Sequence, residues 1–256
     1  ISKTAEALDD LRPDLLVVYA DRFEGFAAVI AASQMNIPVA HIEGGDLTEG
    51  GALDDSIRHA MTKLSHIHFT TNAEAKKRVL SLGEEPWRVH NVGFPGIDGL
   101  QNQDFTDPEA LIRDLQIDPT KPLVLFTLHS ITTEPERARE QIKECIAALR
   151  EKLADNIQCI ITYPNNDRGS VDIINEIRKF EGEGHENLTI VPSLGRRNDH
   201  GVLNLSLLDL VNVICVGNSS SGLKETPFFN CPAVNIGDRQ KGRLRSGNVL
   251  TCECKQ

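Results

Sequence analysis

No apolar run in this chain approaches the ~18 residues that a membrane-crossing helix needs. Nor is there a surplus of positive charge: the formal net charge is -10, and lysines and arginines are scattered singly. That leaves no basic stripe for nucleic acid and no polybasic edge for a membrane surface. Cysteines at metal-ligand spacing are missing too. Cys145, Cys159, Cys215 and Cys231 lie in apolar helix-like or strand-like surroundings and read as buried reduced thiols, and Cys252-Glu253-Cys254 has no further ligands nearby. No Gly-x-Gly-x-x-Gly loop is present, and Ile1-Ser2-Lys3 lacks the apolar region of a signal peptide. The expectation is a soluble, cytoplasmic protein whose partners are small molecules or protein subunits, with no metal and no cofactor.

With 256 residues and 40% hydrophobic content, the usual ~100–200 residues per domain suggests two domains. The periodicity agrees. In the first half, strands at Leu15–Tyr19, from Val39, at His66–Thr71 and at Val89–Val92 alternate with helices at Thr4–Leu11, Phe23–Met35, Asp55–Leu64 and Ala73–Leu82. The polar, proline-bearing stretch 101–122 reads as a connection, giving domains 1–116 and 117–256. A second alternation follows, with strands at Leu123–Leu128, Gln158–Thr162, Leu188–Val191, Val213–Val216 and Ala233–Ile236. Its helices are read at Pro135–Leu153, Val171–Glu181, Val202–Leu210 and Gly222–Phe228. The fold class is α/β: two doubly wound domains with a cleft between them.

The chemistry-bearing residues gather where strands end. Val39 to Ile42 runs into Glu43-Gly44-Gly45-Asp46, and the strand before it ends in Asp21-Arg22. Right-handed crossovers set such ends side by side, so Asp21 and Glu43 face one pocket unless Glu43 merely pairs with an arginine. Asp54 opens the next helix and either joins them or caps it. His129 follows an apolar strand and can titrate near neutral pH, or only cap and pack. Tyr163 to Ser170 is a polar turn into a helix, suited to ligand hydroxyls or to capping. Gly217-Asn218-Ser219-Ser220-Ser221-Gly222 offers hydroxyls and backbone N–H groups to a phosphate, with Glu225 placed for a ribose diol.

His41-Ile42-Glu43-Gly44-Gly45-Asp46, Asp54-Asp55-Ser56-Ile57-Arg58-His59-Ala60, the Gly217–Gly222 loop and Asn235-Ile236-Gly237-Asp238-Arg239-Gln240-Lys241-Gly242-Arg243 together resemble the hydrolysing UDP-N-acetylglucosamine 2-epimerases. The resemblance covers nearly the whole chain. It implies the GT-B fold of two Rossmann-like domains, and release of N-acetylmannosamine or a related sugar by elimination of UDP and hydration of the resulting 2-acetamidoglycal. Gly44-Gly45 and Leu53-Asp54-Asp55 depart from the text of the non-hydrolysing relatives and favour the hydrolysing branch. By the resemblance, Asp21, Glu43 and Asp54 are the catalytic carboxylates and His129 the active-site histidine. Ser219, Ser220 and Arg239 match diphosphate-binding positions, Glu225 the ribose-binding one, and Arg22, Asp98 and Asn165 substrate contacts. A UDP-sugar and a homo-oligomer, dimer or tetramer, are the expected partners. Against the family pattern, the chain looks truncated at both ends, and Arg196 to Leu203 is longer and more polar than usual, which bears on base contacts. The alternatives are a UDP-diacetamido-trideoxyhexose substrate, a non-hydrolysing 2-epimerase, a GT-B glycosyltransferase and a non-catalytic nucleotide-sugar sensor.

Overall fold

Along strand β5, Leu123–Thr127, the side chains from Leu123 to Phe126 are buried and enter two different cores in turn. Leu123 and Leu125 pack with Leu111, Val202, Leu205 and Phe229, whereas Val124 and Phe126 pack with Ile142, Ile146, Ile173 and Ile177. A strand covered on both faces needs no polar alternation, which is why its sequence is an unbroken apolar run. The structure is a computed structural model that describes residues 1–47, 52–102 and 104–254, the side chains of Ala52 and Leu53 excepted. It divides into two compact units, Ile1–Pro95 and Gly96–Gln256. No helix among the described residues is long and apolar enough to cross a membrane.

In the second unit β5 joins β6 (Gln158–Thr162), β7 (Leu188–Val191), β8 (Val213–Gly217), β9 (Ala233–Ile236) and β10 (Val249–Cys252). They form one parallel six-stranded sheet of order β10-β9-β8-β5-β6-β7. From β5 the chain proceeds outward through β6 and β7, then returns to the other side of β5 for β8. In doubly wound sheets that reversal opens a crevice at the carboxyl ends of the two central strands, here β5 and β8. Gly217, the last residue of β8, has φ +142°, and a Cβ there would lie 1.9 Å from the Thr127 carbonyl oxygen, so only glycine lets the two strand ends close. The helices α7 (Ala138–Ala154) and α8 (Ser170–Glu181) supply one core, and α6 (Pro108–Asp114) and α9 (Gly195–Leu207) the other.

The first unit has a parallel sheet of order β1-β2-β3-β4, from Leu16–Tyr19, Val39–Ile42, Ile67–Thr70 and Val89–Asn91. Its helices are α1 (Ser2–Leu11), α2 (Phe23–Gln34), α3 (Ala52–Lys63) and α4 (Ala73–Ser81). Val18, Val29, Ala32, Val39 and Met61 form its core. The expected polar link between Asp46 and α3 runs through 48–51, outside the described residues.

Both units are Rossmann-like, as the alternation suggests, with four local differences. The stretch from Gly96, to which the periodicity assigns no element, is helical as α5 (Gly96–Gln101), with Leu100 fully buried in the second unit's core. That core also takes Leu111 and Ile117, so by contacts the residues from Gly96 onward belong with β5–β10 instead of with the first domain. Helix α9 begins at Gly195, seven residues ahead of the expected Val202, through residues too polar to show an apolar period. The last expected helix shrinks to α10 (Ser221–Lys224), since Pro227 has no N–H to continue it. β10 is an edge strand with Leu250 exposed, and a four-residue edge leaves little trace in the sequence.

Leu111→Ala should therefore lower the stability of the unit carrying β5 by roughly 2–5 kcal/mol, the usual cost of emptying a buried leucine site. Urea denaturation followed by circular dichroism checks it. A shift under ~0.5 kcal/mol would mean that α6 does not share that core.

Candidate functional site

The crevice at the ends of β5 and β8 is a cavity of about 410 Å³, lined among others by Thr127, His129, Tyr163, Ser219, Ser220 and Glu225. Its size falls within the range of small-molecule sites, ~300–1,000 Å³. Asn218, between the lining residues Gly217 and Ser219, ties its two sides together. Buried to 2% exposure, it accepts from the His129 N–H through Oδ1 at 2.7 Å and donates from Nδ2 to the His129 carbonyl at 2.8 Å. Arg239 Nη1 and Gln240 Nε2 in turn donate to the Asn218 carbonyl, at 3.1 and 2.8 Å. The residue after β8 thus fixes the residue after β5.

The imidazole of His129 is fixed as well. The Asn165 N–H donates to its Nδ1 at 3.1 Å, which places the ring proton on Nε2. Burial, with the positive Arg239 nearby, pushes its pKa down to about 3. The expectation of a group titrating near neutrality is corrected: this is a neutral imidazole offering an N–H. Asn165 also donates from Nδ2 to Asp167 at 2.7 Å, and Asp167 lies 3.8 Å from Arg239.

Ser219 and Ser220 line the cavity, Ser220 as N-cap residue of the four-residue α10. Ser221 Oγ donates to Glu225 Oε2 at 2.9 Å, and His200 Nε2 donates to the same oxygen at 3.0 Å. His200 is 4% exposed, with its Nδ1 buried and without a hydrogen-bond partner. Beside it Asp199 lines the cavity, its carboxyl pushed up to about 6 by burial and by the like charge of Glu225. Asp199, His200 and Glu225 each bring a ligand-type atom within 4.8 Å of the others, a spacing that a divalent cation could bridge. Asp98 lies apart from this group, exposed on α5.

The expected carboxylates belong to the first unit. Tyr19 of β1 pairs with Ile42 of β2, so both strands deliver their next residues to the same sheet edge. Those next residues, Ala20 and Glu43, both adopt left-handed backbone, φ +61° and +69°. Non-glycine residues there cost of order 1 kcal/mol or more and concentrate at functional sites. Asp21 and Glu43 thereby sit just past the ends of β1 and β2. Glu43 is buried, held by its N–H donating to the Phe69 carbonyl at 2.8 Å. Buried His41 anchors the turn: its Nε2 donates to the Ala20 carbonyl at 2.7 Å, and burial lowers its pKa to about 4.

Arg58, on α3 and 1% exposed, is the hub of that edge. Its guanidinium pairs with Asp21, with Asp55 Oδ1 at 2.7 Å, and with the Asp46 carbonyl at 2.6 Å. Asp54, half-buried, stands one turn earlier on the same helix. Arg22 caps α2, stacks over Phe23 at 5.3 Å and lies 3.4 Å from Glu24. Sequence reasoning gave no role to Arg58, Asn218, Asp199 or His200. Arg58 had a readable signal, being three residues after Asp55 on a helix.

Comparison with known proteins adds a consistent picture. The family model described as UDP-N-acetylglucosamine 2-epimerase matches residues 1–256. A Campylobacter jejuni protein named GDP/UDP-N,N'-diacetylbacillosamine 2-epimerase (hydrolyzing) is 37% identical over 253 residues, covering 98% of this chain and 63% of its own length. A Legionella pneumophila protein named UDP-N,N'-diacetylbacillosamine 2-epimerase (hydrolyzing) is 34% identical over 245 residues, 96% of this chain and 62% of its own. The chain thus spans about 63% of the length of such relatives. Among solved structures, the Methanocaldococcus jannaschii UDP-GlcNAc 2-epimerase in complex with UDP-GlcNAc and UDP superposes with a TM-score of 0.76 at 18% identity, over 99% of this chain and 69% of that one.

Two histidines held neutral by the fold make the chain acid-sensitive in a defined direction. Below the unfolded pKa of ~6.5 the unfolded chain takes up protons that folded His41 and His129 refuse, down to about 4 and about 3. Stability is therefore present above ~6.5 and falls with pH below it, by up to ~1.4 kcal/mol per unit for each ring. In ¹⁵N-edited NMR neither ring should titrate between about pH 5 and 8. A midpoint near 6.5 for His129 would overturn the neutral-donor assignment.

Proposed function

The chain belongs to the UDP-N-acetylglucosamine 2-epimerase family, and from that premise we propose that the whole protein hydrolyses a nucleoside-diphosphate-linked 2-acetamido sugar with inversion at C2. The observation that carries this reading is the cavity at the reversal of the second sheet, where His129, Ser219, Ser220 and Glu225 line one space. The diphosphate is assigned to Ser219, Ser220 and Arg239, and the ribose diol to the free side of Glu225, whose Oε2 is already held by Ser221 and His200.

The reaction runs in two steps. Anti elimination removes the C2 proton and expels the nucleoside diphosphate from C1, leaving a 2-acetamidoglycal. Water then adds, its oxygen to C1 and a proton to C2 from the opposite face, giving the C2-inverted free sugar. Both steps are redox-neutral and need only acid–base groups and support for the departing charge. Glu43, directly after β2 with left-handed backbone, is assigned proton transfer at C2, with Asp21 and Asp54 completing the carboxylate set. His129 is assigned to the departing diphosphate as a neutral Nε2–H donor, and Arg22, Asp98 and Asn165 to the sugar.

For the sugar, N,N'-diacetylbacillosamine stands ahead of N-acetylglucosamine, because the 37% and 34% identical relatives are both named for it. The Campylobacter name includes GDP as well as UDP, which leaves the base open for this chain. A cytoplasmic homo-oligomer is proposed on the resemblance alone.

Incubating full-length protein with each nucleotide sugar and no acceptor should release nucleoside diphosphate and the C2-inverted free sugar. Intact substrate would favour a glycosyltransferase or a sensor. Glu43→Gln should retain nucleotide binding while turnover falls ~10²–10⁴-fold, the usual worth of one acid–base group. A near-normal kcat would remove Glu43 from the catalytic set.

A further inference from the structure

Helix α7 carries Cys145 among its buried residues, and Cys254 follows the edge strand β10 by two residues. The two meet at one turn of the helix. Cys254 Sγ donates to the Gln141 carbonyl at 3.5 Å. Gln141 lies four residues before Cys145, and a helical side chain leans back over the turn N-terminal to it, so the Cys145 thiol stands beside that same carbonyl. The two sulfurs are accordingly in side-chain hydrogen-bond contact. Both cysteines also pack in one apolar cluster, with Ile142, Ile146 and Ile173.

The function proposed above makes no use of these thiols, and their surroundings divide the work between them. Cys145 is 7% exposed, Cys254 half-buried and Cys252 exposed. Once ionised, Cys254 accepts a hydrogen bond from Cys145, which holds its pKa below the usual thiol value; Arg137 helps, while burial and the charges of Glu144 and Glu140 oppose. The same hydrogen bond, together with burial, pushes Cys145 up, and burial raises Cys252. The thiolate, which is the nucleophile in disulfide exchange, therefore falls to Cys254. Cys145 waits against it as a protonated, shielded partner.

We propose that Cys145 and Cys254 are a redox-active dithiol that closes to a disulfide by exchange with a low-molecular-weight disulfide, fastening the end of β10 to α7. Cys254 attacks one sulfur of the small disulfide, forming a mixed disulfide and expelling one small thiolate. Cys145 then gives its proton to solvent, attacks Cys254 Sγ and expels the second small thiolate; each leaving thiolate takes up a proton. Two protein thiols are oxidised, and one small disulfide is reduced to two thiols. The bond encloses a loop of about 110 residues, long enough for the crosslink to constrain the unfolded chain strongly. It also secures an edge strand that is otherwise paired only with β9.

The test is incubation of reduced full-length protein with oxidised glutathione at about pH 7.5, followed by alkylation and non-reducing peptide mapping by mass spectrometry. Wild-type protein should lose two alkylatable thiols per chain and yield a peptide linking Cys145 to Cys254, both changes reversed by dithiothreitol. Cys145→Ser, which lacks the second thiol, should retain one glutathione on Cys254. Cys254→Ser should leave Cys145 unmodified. In wild-type protein, a Cys252–Cys254 bond, glutathione held stably on Cys254, or unchanged thiols would each overturn the proposal. Glutathione found on Cys145 in the Cys254→Ser variant would overturn it as well, because the first attack would then not belong to Cys254.

Discussion

One buried amide side chain sets the geometry of the second unit's site. Asn218 holds the N–H and the carbonyl of His129 with its own carbonyl and amide, and so ties the residue after β8 to the backbone after β5. Two strands far apart in sequence end at a fixed separation because of it. Gly217 makes the tie possible by allowing β8 to close on the Thr127 carbonyl, a distance that any Cβ would forbid. With His129 pinned on its main chain and its Nδ1 occupied by Asn165, the imidazole has one tautomer, with Nε2–H as its donor. A fixed neutral donor in a sheet-reversal crevice can stabilise negative charge without reorganising.

The first unit solves a comparable problem with charge. Arg58 is almost wholly buried and gathers Asp21, Asp55 and the Asp46 carbonyl. Removing one partner from such a cluster leaves an uncompensated buried charge, so its members are constrained together. That constraint holds the β1 and β2 ends, the left-handed turns at Ala20 and Glu43, and the start of α3 in register. His41, hydrogen-bonded to Ala20 from the middle of β2, reinforces the same turn at the cost of remaining uncharged.

Most of the fold was legible because buried parallel strands announce themselves: the apolar runs at Gln158–Thr162, Leu188–Val191 and Ala233–Ile236 are strands with those same bounds. What escaped depended on tertiary partners. The helix from Gly195 has no apolar period in its first turns, and α5 is helical because Leu100 finds a core. The site was legible as motifs and less so as physics. Strand-end acids, His129 and the serine loop could be named from the sequence, but burial, which keeps His129 and His41 neutral, is a property of the packed chain. Asn218 was visible in the loop motif, yet its role required knowing that β8 lies beside β5. Asp199 and His200 stood out only as part of the polar stretch from Arg196 to Leu203, since their place beside Glu225 comes from packing.

The central claim is that the crevice between the ends of β5 and β8 receives a nucleoside diphosphate. Hydrogen exchange by mass spectrometry on the full-length protein, with and without saturating UDP, reads it most directly. The account predicts slowed exchange in peptides spanning Asn218 to Glu225 and in those covering His129, with the outer strand Leu188–Val191 unchanged. Bound UDP that leaves the Asn218–Glu225 amides as they were, and protects a region elsewhere, would contradict it.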